Sequence, residues 1–379
     1  MPAIVGRDPH TGEPLEIVVQ NGLIHGVRAA SHDDDVWLSP GLIDLQVNGF
    51  FGYDVNRESS DPETIVALTR EMIATGVTTF LPTVITASEE KIVGALRAIA
   101  KARQSSQIVA DAAPFIHIEG PNICADDGPR GAHPREHVRP PDLAEFDRWQ
   151  QAAGGLVGMV TLSPHFEGVE SYIAELRRRG VHVAIGHTNA SAEQIHRAID
   201  AGANLSTHLG NGIGATIARH ANALWPQLAD DRLTATLIAD SHHLPPDAFK
   251  AILKAKGVDR SVLVSDAVAV GGLPAGVYDT PVGGRVELNS KGRLSLLGTE
   301  FLAGAALALK DGVVRAMTMA GISLHESLAM ATRNPGRFVN GIGTLRPGDP
   351  ADLVRFTVDE TSGTMVVKDV FLKGERWSS

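Results

Sequence analysis

Eight short apolar segments of β-forming residues, separated mostly by helix-like stretches, run through the middle of this 379-residue chain. They fall at 41–47, 77–85, 113–119, 156–163, 181–187, 203–208, 233–240 and 261–266. Strands that are apolar along their length need cover on both faces, and alternation with helices supplies it in a parallel sheet. Eight such strands are what a closed (β/α)8 TIM-like barrel requires. Local signals mark several of the helices. Asp61-Pro62 reads as an N-cap followed by proline at the first helical position, and Gly76 stops that segment. Ser191 with Gln194 forms a capping box, and Gly202 closes its helix. After the eighth strand, Gly271–Gly298 is rich in glycine and short strand-like pieces, which predicts an excursion beside the strand ends; helices are expected at about 300–318 and 323–332.

The chain ends follow a different pattern. Leu15-Glu16-Ile17-Val18-Val19 precedes Asn21-Gly22, a hairpin signal. At the other end, 351–356 and 365–372 are β-rich and separated by the Ser362-Gly363 turn. Neither end can bury its apolar face alone. The economical expectation is one small β-sandwich domain from 1–39 and 340–379, with 40–339 forming the barrel.

Composition excludes several function classes. The net charge of -10, with no compensating basic stretch, argues against a nucleic-acid binder. No apolar run is long enough to span a membrane. The start, Met1-Pro2-Ala3-Ile4, lacks the basic and apolar regions of a signal peptide. The single cysteine, Cys124, precludes an internal disulfide and fits a reducing compartment, so a cytoplasmic location is expected.

Polar chemistry is concentrated where the strands stop. Glu119 ends the third, His187 the fifth, His208 the sixth and Asp266 the eighth. A lone strand-end histidine is commonly a hydrogen-bonded rim residue. Two histidines and a glutamate at strand ends that barrel closure would bring together are a ligand set for a metal ion that activates water. Asp266, opposite them, can accept a proton from that water and pass it to a leaving amine. Strand one carries Asp44, Gln46 and Asn48 on one face. Amides are poor ligands for transition metals, so one ion is expected rather than two.

Read together, the motifs resemble those of the amidohydrolase superfamily, and within it the N-acetylglucosamine-6-phosphate deacetylase family. The matching pieces are Pro40-Gly41-Leu42-Ile43-Asp44 with Gln46-Val47-Asn48-Gly49, Leu81-Pro82-Thr83, His117-Ile118-Glu119-Gly120-Pro121, Gly131-Ala132-His133-Pro134, Gly186-His187-Thr188-Asn189-Ala190, Thr207-His208-Leu209-Gly210-Asn211, Ile238-Ala239-Asp240 and Ser265-Asp266-Ala267. The resemblance implies deacetylation of N-acetylglucosamine 6-phosphate to glucosamine 6-phosphate and acetate. It implies one divalent metal, zinc first and ferrous iron, cobalt or manganese as alternatives, on Glu119, His187 and His208. Asp266 becomes the proton shuttle, and His133 the group that polarises the acetamide carbonyl. Asn211, Gly212, His243 and Arg219 match substrate contacts at the phosphate, the arginine reaching over from the neighbouring subunit of a homodimer.

The chain departs from the family pattern at Asn211-Gly212-Ile213, at Asp240-Ser241-His242-His243 and at Leu302-Ala303-Gly304-Ala305. His242 competes with His243 for the substrate role, and spacing favours His243. N-acetylgalactosamine 6-phosphate or another N-acyl amino sugar stays open as substrate. A non-catalytic sugar-binding barrel is the reading from another class. His117 is expected to fill the barrel interior or support the site, His165 and His182 to pack, and Arg177-Arg178-Arg179 to sit at a helix C-terminus.

Overall fold

The computed structural model describes residues 3–31, 35–57, 61–280, 284–359 and 363–378; Met1, Pro2 and Ser362 of the expectations above lie outside them. All eight expected barrel strands are present: Leu42–Val47, Val77–Ile85, Ile116–Glu119, Val157–Leu162, His182–Ile185, Leu205–Ser206, Thr234–Ile238 and Ser261–Val264. They form one parallel sheet in sequence order. The first and last strands close it through Asp266 N to Gln46 O at 3.0 Å and Asn48 N to Ala267 O at 2.9 Å. Asp44 adds to this seam: its Oδ1 accepts from Ser265 N at 3.1 Å, while burial pushes its carboxyl up to about 7 despite the hydrogen bonds from Ser265 and Gln46.

The sixth strand is only two residues long, because His208, at its expected end, already has φ 30°. The helix signals hold. Asp61 caps Pro62–Ala74 by accepting from Thr64 N, and Ser191 and Gln194 form the capping box of Ala192–Asp200. One expected helix starts late, running Leu309–Ala320. Residues 300–308 are loop instead, with Gly304 at φ 100° and a bridge from Ala305 to Ala267 that ties this loop to the end of strand eight. The excursion after strand eight is a three-stranded antiparallel sheet, Gly276–Thr280, Gly284–Leu288 and Leu294–Leu296.

Both chain ends build a seven-stranded sheet, in the order Glu375–Arg376, Thr364–Leu372, Leu353–Asp359, Trp37–Pro40, Ala3–Arg7, Pro14–Gln20 and Leu23–Ala29. Hydrogen bonds make it one continuous sheet. Its far regions approach each other, since Ile24 N donates to Asp349 O and a Cβ on Gly374 would stand 2.4 Å from Val19. Ile4, Leu15, Ile17, Val19, Ile24, Leu38, Ala351 and Leu353 make the enclosed core. Trp37–Pro40 then runs through Gly41 directly into strand one. Among the described residues no helix is long and apolar enough to cross a membrane.

The barrel interior is layered. Ile43, Leu45, Met159, Leu205 and Val262 pack with Phe338 and Val339 as an apolar plug. A buried polar chain crosses the same interior: Leu45 O to His117 Nδ1 at 3.1 Å, His117 Nε2 to Thr161 Oγ1 at 2.8 Å, and Thr161 Oγ1 to Thr207 Oγ1 at 2.7 Å. A carbonyl can only accept, so His117 carries its proton on Nδ1 and accepts from Thr161. Burial pushes His117 down to about 4, which keeps it neutral. Gly186 makes room for this layer, because a Cβ there would stand 2.8 Å from both Thr161 and Thr207.

Candidate active site

Barrel closure brings the strand ends together around a cavity of about 250 Å³. Glu119, His133, His187, His208, Asn211, Gly212, His243 and Asp266 all line it, alongside Asn48 and Asp54. Three of these, His187, His208 and Asp266, have positive φ of 49°, 30° and 50°. Non-glycine residues seldom adopt that region, and its appearance at three converging strand ends fits a site whose geometry outweighs local preference.

The tightest group is Glu119, His187 and His208. Glu119 Oε1 lies 3.1 Å from His187 Nε2 and 3.0 Å from His208 Nε2, and the two nitrogens are 3.1 Å apart. His187 Nδ1 is 2.8 Å from Pro129 O. That carbonyl must accept, so in the neutral ring Nδ1 carries the proton and the Nε2 lone pair faces the carboxylate. Facing lone pairs at such distances repel unless a cation or a proton lies between them. Around a tetrahedral ion with bonds of about 2.1 Å, ligand atoms stand about 3.4 Å from one another. The donor set and its spacing therefore fit a divalent metal. Without one, the same field attracts protons. Burial works to lower His187, but the Glu119 carboxylate outweighs it and raises the imidazole. Burial works to raise Glu119, and the hydrogen bonds of His187 and His208 outweigh it, holding the carboxyl well below its ordinary range.

Glu119, His133 and His187 also offer ligand atoms within 4.8 Å of one another. His133 is the looser member. Its ring packs edge-on to His187 at 4.4 Å between centroids, and its Nδ1 is 2.8 Å from Thr86 Oγ1. Burial, reinforced by His187, pushes His133 down to about 3, so it is neutral. Thr86 Oγ1 is also 3.5 Å from Glu119 O, at the limit of a hydrogen bond. When Thr86 turns its proton to His133 Nδ1, the shorter of the two contacts, His133 carries its own proton on Nε2 and presents it as a donor. Gly120, at φ 80°, permits this arrangement, since a Cβ there would stand 2.1 Å from the Thr86 hydroxyl. No motif around Thr86 marked this role.

The strand-one amides act as donors. Gln46 Nε2 donates to Glu119 Oε1 at 3.0 Å and Asn48 Nδ2 to Asp266 Oδ1 at 2.7 Å. Burial, then the Glu119 charge, raise Asp266 to about 6. At strand seven, His243 lines the cavity and bonds through Nδ1 to Asp240 Oδ2 at 2.7 Å. Burial works to lower His243, yet Asp240 outweighs it and raises the imidazole. His242 instead contacts Lys291 O at 3.2 Å and takes no part in the cavity wall. Arg219 is exposed on the loop before Leu224–Ala229 and stands outside its own chain's cavity. Cys124 is buried, and Arg178 and Arg179 at their helix end pair with Glu175.

Strand-end carboxylates and imidazoles converging at the mouth of a (β/α)8 barrel define a metal-assisted hydrolase. The chain belongs to the amidohydrolase family, which it matches over residues 37–376. It is 32% identical over 331 residues to the N-acetylglucosamine-6-phosphate deacetylase of Bacillus subtilis, covering 86% of this chain and 82% of that protein. It is 30% identical over 350 residues to the N-acetylgalactosamine-6-phosphate deacetylase of Escherichia coli O157:H7, covering 89% of each. Among solved structures, N-acetyl-D-glucosamine-6-phosphate deacetylase from Mycobacterium smegmatis, in complex with N-acetyl-D-glucosamine-6-phosphate, superposes with a TM-score of 0.85 at 27% identity, over 96% of this chain and 94% of that one.

Proposed function

We infer that this chain is a metal-dependent deacetylase of N-acetyl amino-sugar 6-phosphates, converting N-acetylglucosamine 6-phosphate to glucosamine 6-phosphate and acetate. The observation that carries this reading is the convergence of Glu119, His187 and His208 on one point, beside a proton-transfer carboxylate. These three would hold one divalent ion per subunit, zinc first, with ferrous iron, cobalt or manganese suiting the same donors. When bound, such an ion polarises a carbonyl and lowers the pKa of water from about 15.7 toward 7.

The chain's own groups supply the rest. Asp266 accepts the proton of the attacking water as the new C–O bond forms, then delivers it to the amine nitrogen as the C–N bond breaks. Asn48 holds Asp266 Oδ1, leaving the other oxygen for the proton. His133 Nε2–H donates to the acetamide oxygen where negative charge develops, a contribution of about 3 kcal/mol for a well-placed donor. Thr86 positions that donor. Thr86→Val is expected to lower kcat ~10-fold with KM little changed, as loss of a supporting partner commonly does. Thr86→Ser should restore it, and a valine variant with unaltered kcat would remove Thr86 from the scheme.

Asn211, Gly212 and His243 are read as the phosphate end of the site. Among the described residues that wall the cavity there is no lysine or arginine. A phosphate dianion in this acidic cavity calls for a stronger cation, and Arg219 of a second copy in a homodimer would supply a planar fork. This division assigns the chemistry to residues 40–339 and a supporting role to the terminal β domain. N-acetylgalactosamine 6-phosphate is the second reading, because relatives of both activities match at similar identity.

An acetate-release screen of metal-loaded protein on both phosphorylated sugars and their dephosphorylated analogues tests the proposal. Arg219→Ala should cost ~10-fold or more in kcat/KM on the phosphorylated sugar, and far less on its analogue. Equal losses would sink the phosphate role; no acetate from any amino-sugar phosphate would sink the function.

A further inference from the structure

Three carboxylates wall the cavity, Asp54, Glu119 and Asp266, and the mechanism uses only two. Asp54 ends a two-strand ribbon, Gly49–Phe50 with Tyr53–Asp54, that follows directly from strand one. The ribbon is a rigid mount. Val55 N donates to Asn48 O at 2.9 Å, Phe51 N to Gly271 O at 2.8 Å, and Gly52 N to Ala269 O at 2.7 Å. The Asn56 side chain clamps it to strand two, giving Nδ2 to Thr83 O and taking Ile85 N at Oδ1, both at 2.9 Å. Gly49 is required at the start, since a Cβ there would stand 2.3 Å from Tyr53 O.

Asp54 Oδ1 accepts from Asn56 N at 2.7 Å. The other carboxylate oxygen has no hydrogen-bond partner among the described residues, and it is not sealed from solvent. Burial raises the carboxyl against the opposing pull of Asn56, Lys91 and Arg57. The cavity lining also includes the apolar Ile85, Val268, Ala269 and Leu302. A carboxylate repels a phosphate, so this wall is unsuited to the phosphate end. It is suited to hydroxyl groups, which can donate to an ionised acceptor in short, strong hydrogen bonds.

We propose that Asp54 is a specificity-determining residue whose open carboxylate oxygen accepts hydrogen bonds from ring hydroxyls of the substrate sugar. The proposal rests on the amino-sugar reading above. It makes Asp54 a binding group that distinguishes sugars by the presence and orientation of hydroxyls and leaves the acetamide chemistry to the metal-site residues.

The test measures kcat/KM for metal-loaded wild type, Asp54→Asn and Asp54→Ala. Substrates are N-acetylglucosamine 6-phosphate, its galacto epimer, and its 3-deoxy and 4-deoxy analogues. The asparagine variant keeps an acceptor for Asn56 N, so the ribbon survives while the open oxygen becomes an amide donor. Both variants should lose ~10- to 100-fold in kcat/KM on the parent sugar, mainly through KM. Wild type should lose a comparable factor on at least one deoxy analogue, which neither variant should distinguish from the parent. Variants that still discriminate the deoxy analogues as wild type does, or that lose kcat equally on every substrate, overturn the assignment. Wild type inert toward every amino-sugar phosphate overturns the underlying reading as well, and that result is read from wild type alone.

Discussion

Asp266→Asn is expected to lower kcat by a factor on the order of 10² to 10⁴, the range spanned by a positioned general acid–base group. The asparagine fills the same space and can still meet Asn48, whose Nδ2 lies 2.7 Å from Oδ1. What it loses is the ability to take a proton. Metal content should therefore match wild type, and so should the melting temperature within a few degrees. The pH profile carries a second readout. Burial and the Glu119 charge raise the Asp266 carboxyl to about 6. A cation on the neighbouring ligands pulls the other way, so the acidic limb of kcat/KM should fall at or below that pH. The carboxylate is the active form, so activity is lost as pH drops through the limb, by about tenfold per unit. The residual rate of Asp266→Asn should lack this limb. A variant of full activity would end the proton-shuttle assignment and revive the sugar-binding barrel.

Glu119→Gln should abolish metal retention. It replaces the only anionic member of the proposed ligand set with an amide, which is a poor ligand and whose NH₂ group can turn toward His187 Nε2 and His208 Nε2. Elemental analysis should find less than about a tenth of the wild-type metal after dialysis. Activity should fall to background and recover only partly in excess metal. Stability follows the same logic. An ion that binds only the folded chain stabilises it by RT ln(1 + [L]/Kd), about 4 kcal/mol at a thousandfold excess over Kd. Chelation should lower the melting temperature of wild type and leave Glu119→Gln unmoved. A fully metallated, active variant would show that the ion is held elsewhere.

Much of the architecture could be read in one dimension because parallel strands buried on both faces leave a strong apolar signature. All eight barrel strands fell where hydrophobic runs placed them. Glu119, His187, His208 and Asp266 were legible as polar residues where those runs stop. Less visible were groups whose role depends on a single contact. Thr86 lies beyond the end of strand two with no distinguishing motif, and only its 2.8 Å approach to His133 reveals it. Asp54 belongs to no motif, and only the ribbon places it in the cavity wall. The ambiguity between His242 and His243 was one of direction: two adjacent residues on a turn diverge, and only His243 lines the cavity. The loop at 300–308 reads as helix from composition, yet pairing of Ala305 with Ala267 draws it along the end of strand eight.

Sequence alone determined the alternation of strands and helices, the inventory of candidate ligands and the amides in strand one, because hydrophobic period and side-chain chemistry are local properties. Tertiary structure decided which lone pairs face one another, which ring nitrogen carries a proton, and that Arg219 stands outside its own chain's cavity. Those are relations between residues tens to hundreds of positions apart. Chain order carries no distance between them until the barrel closes.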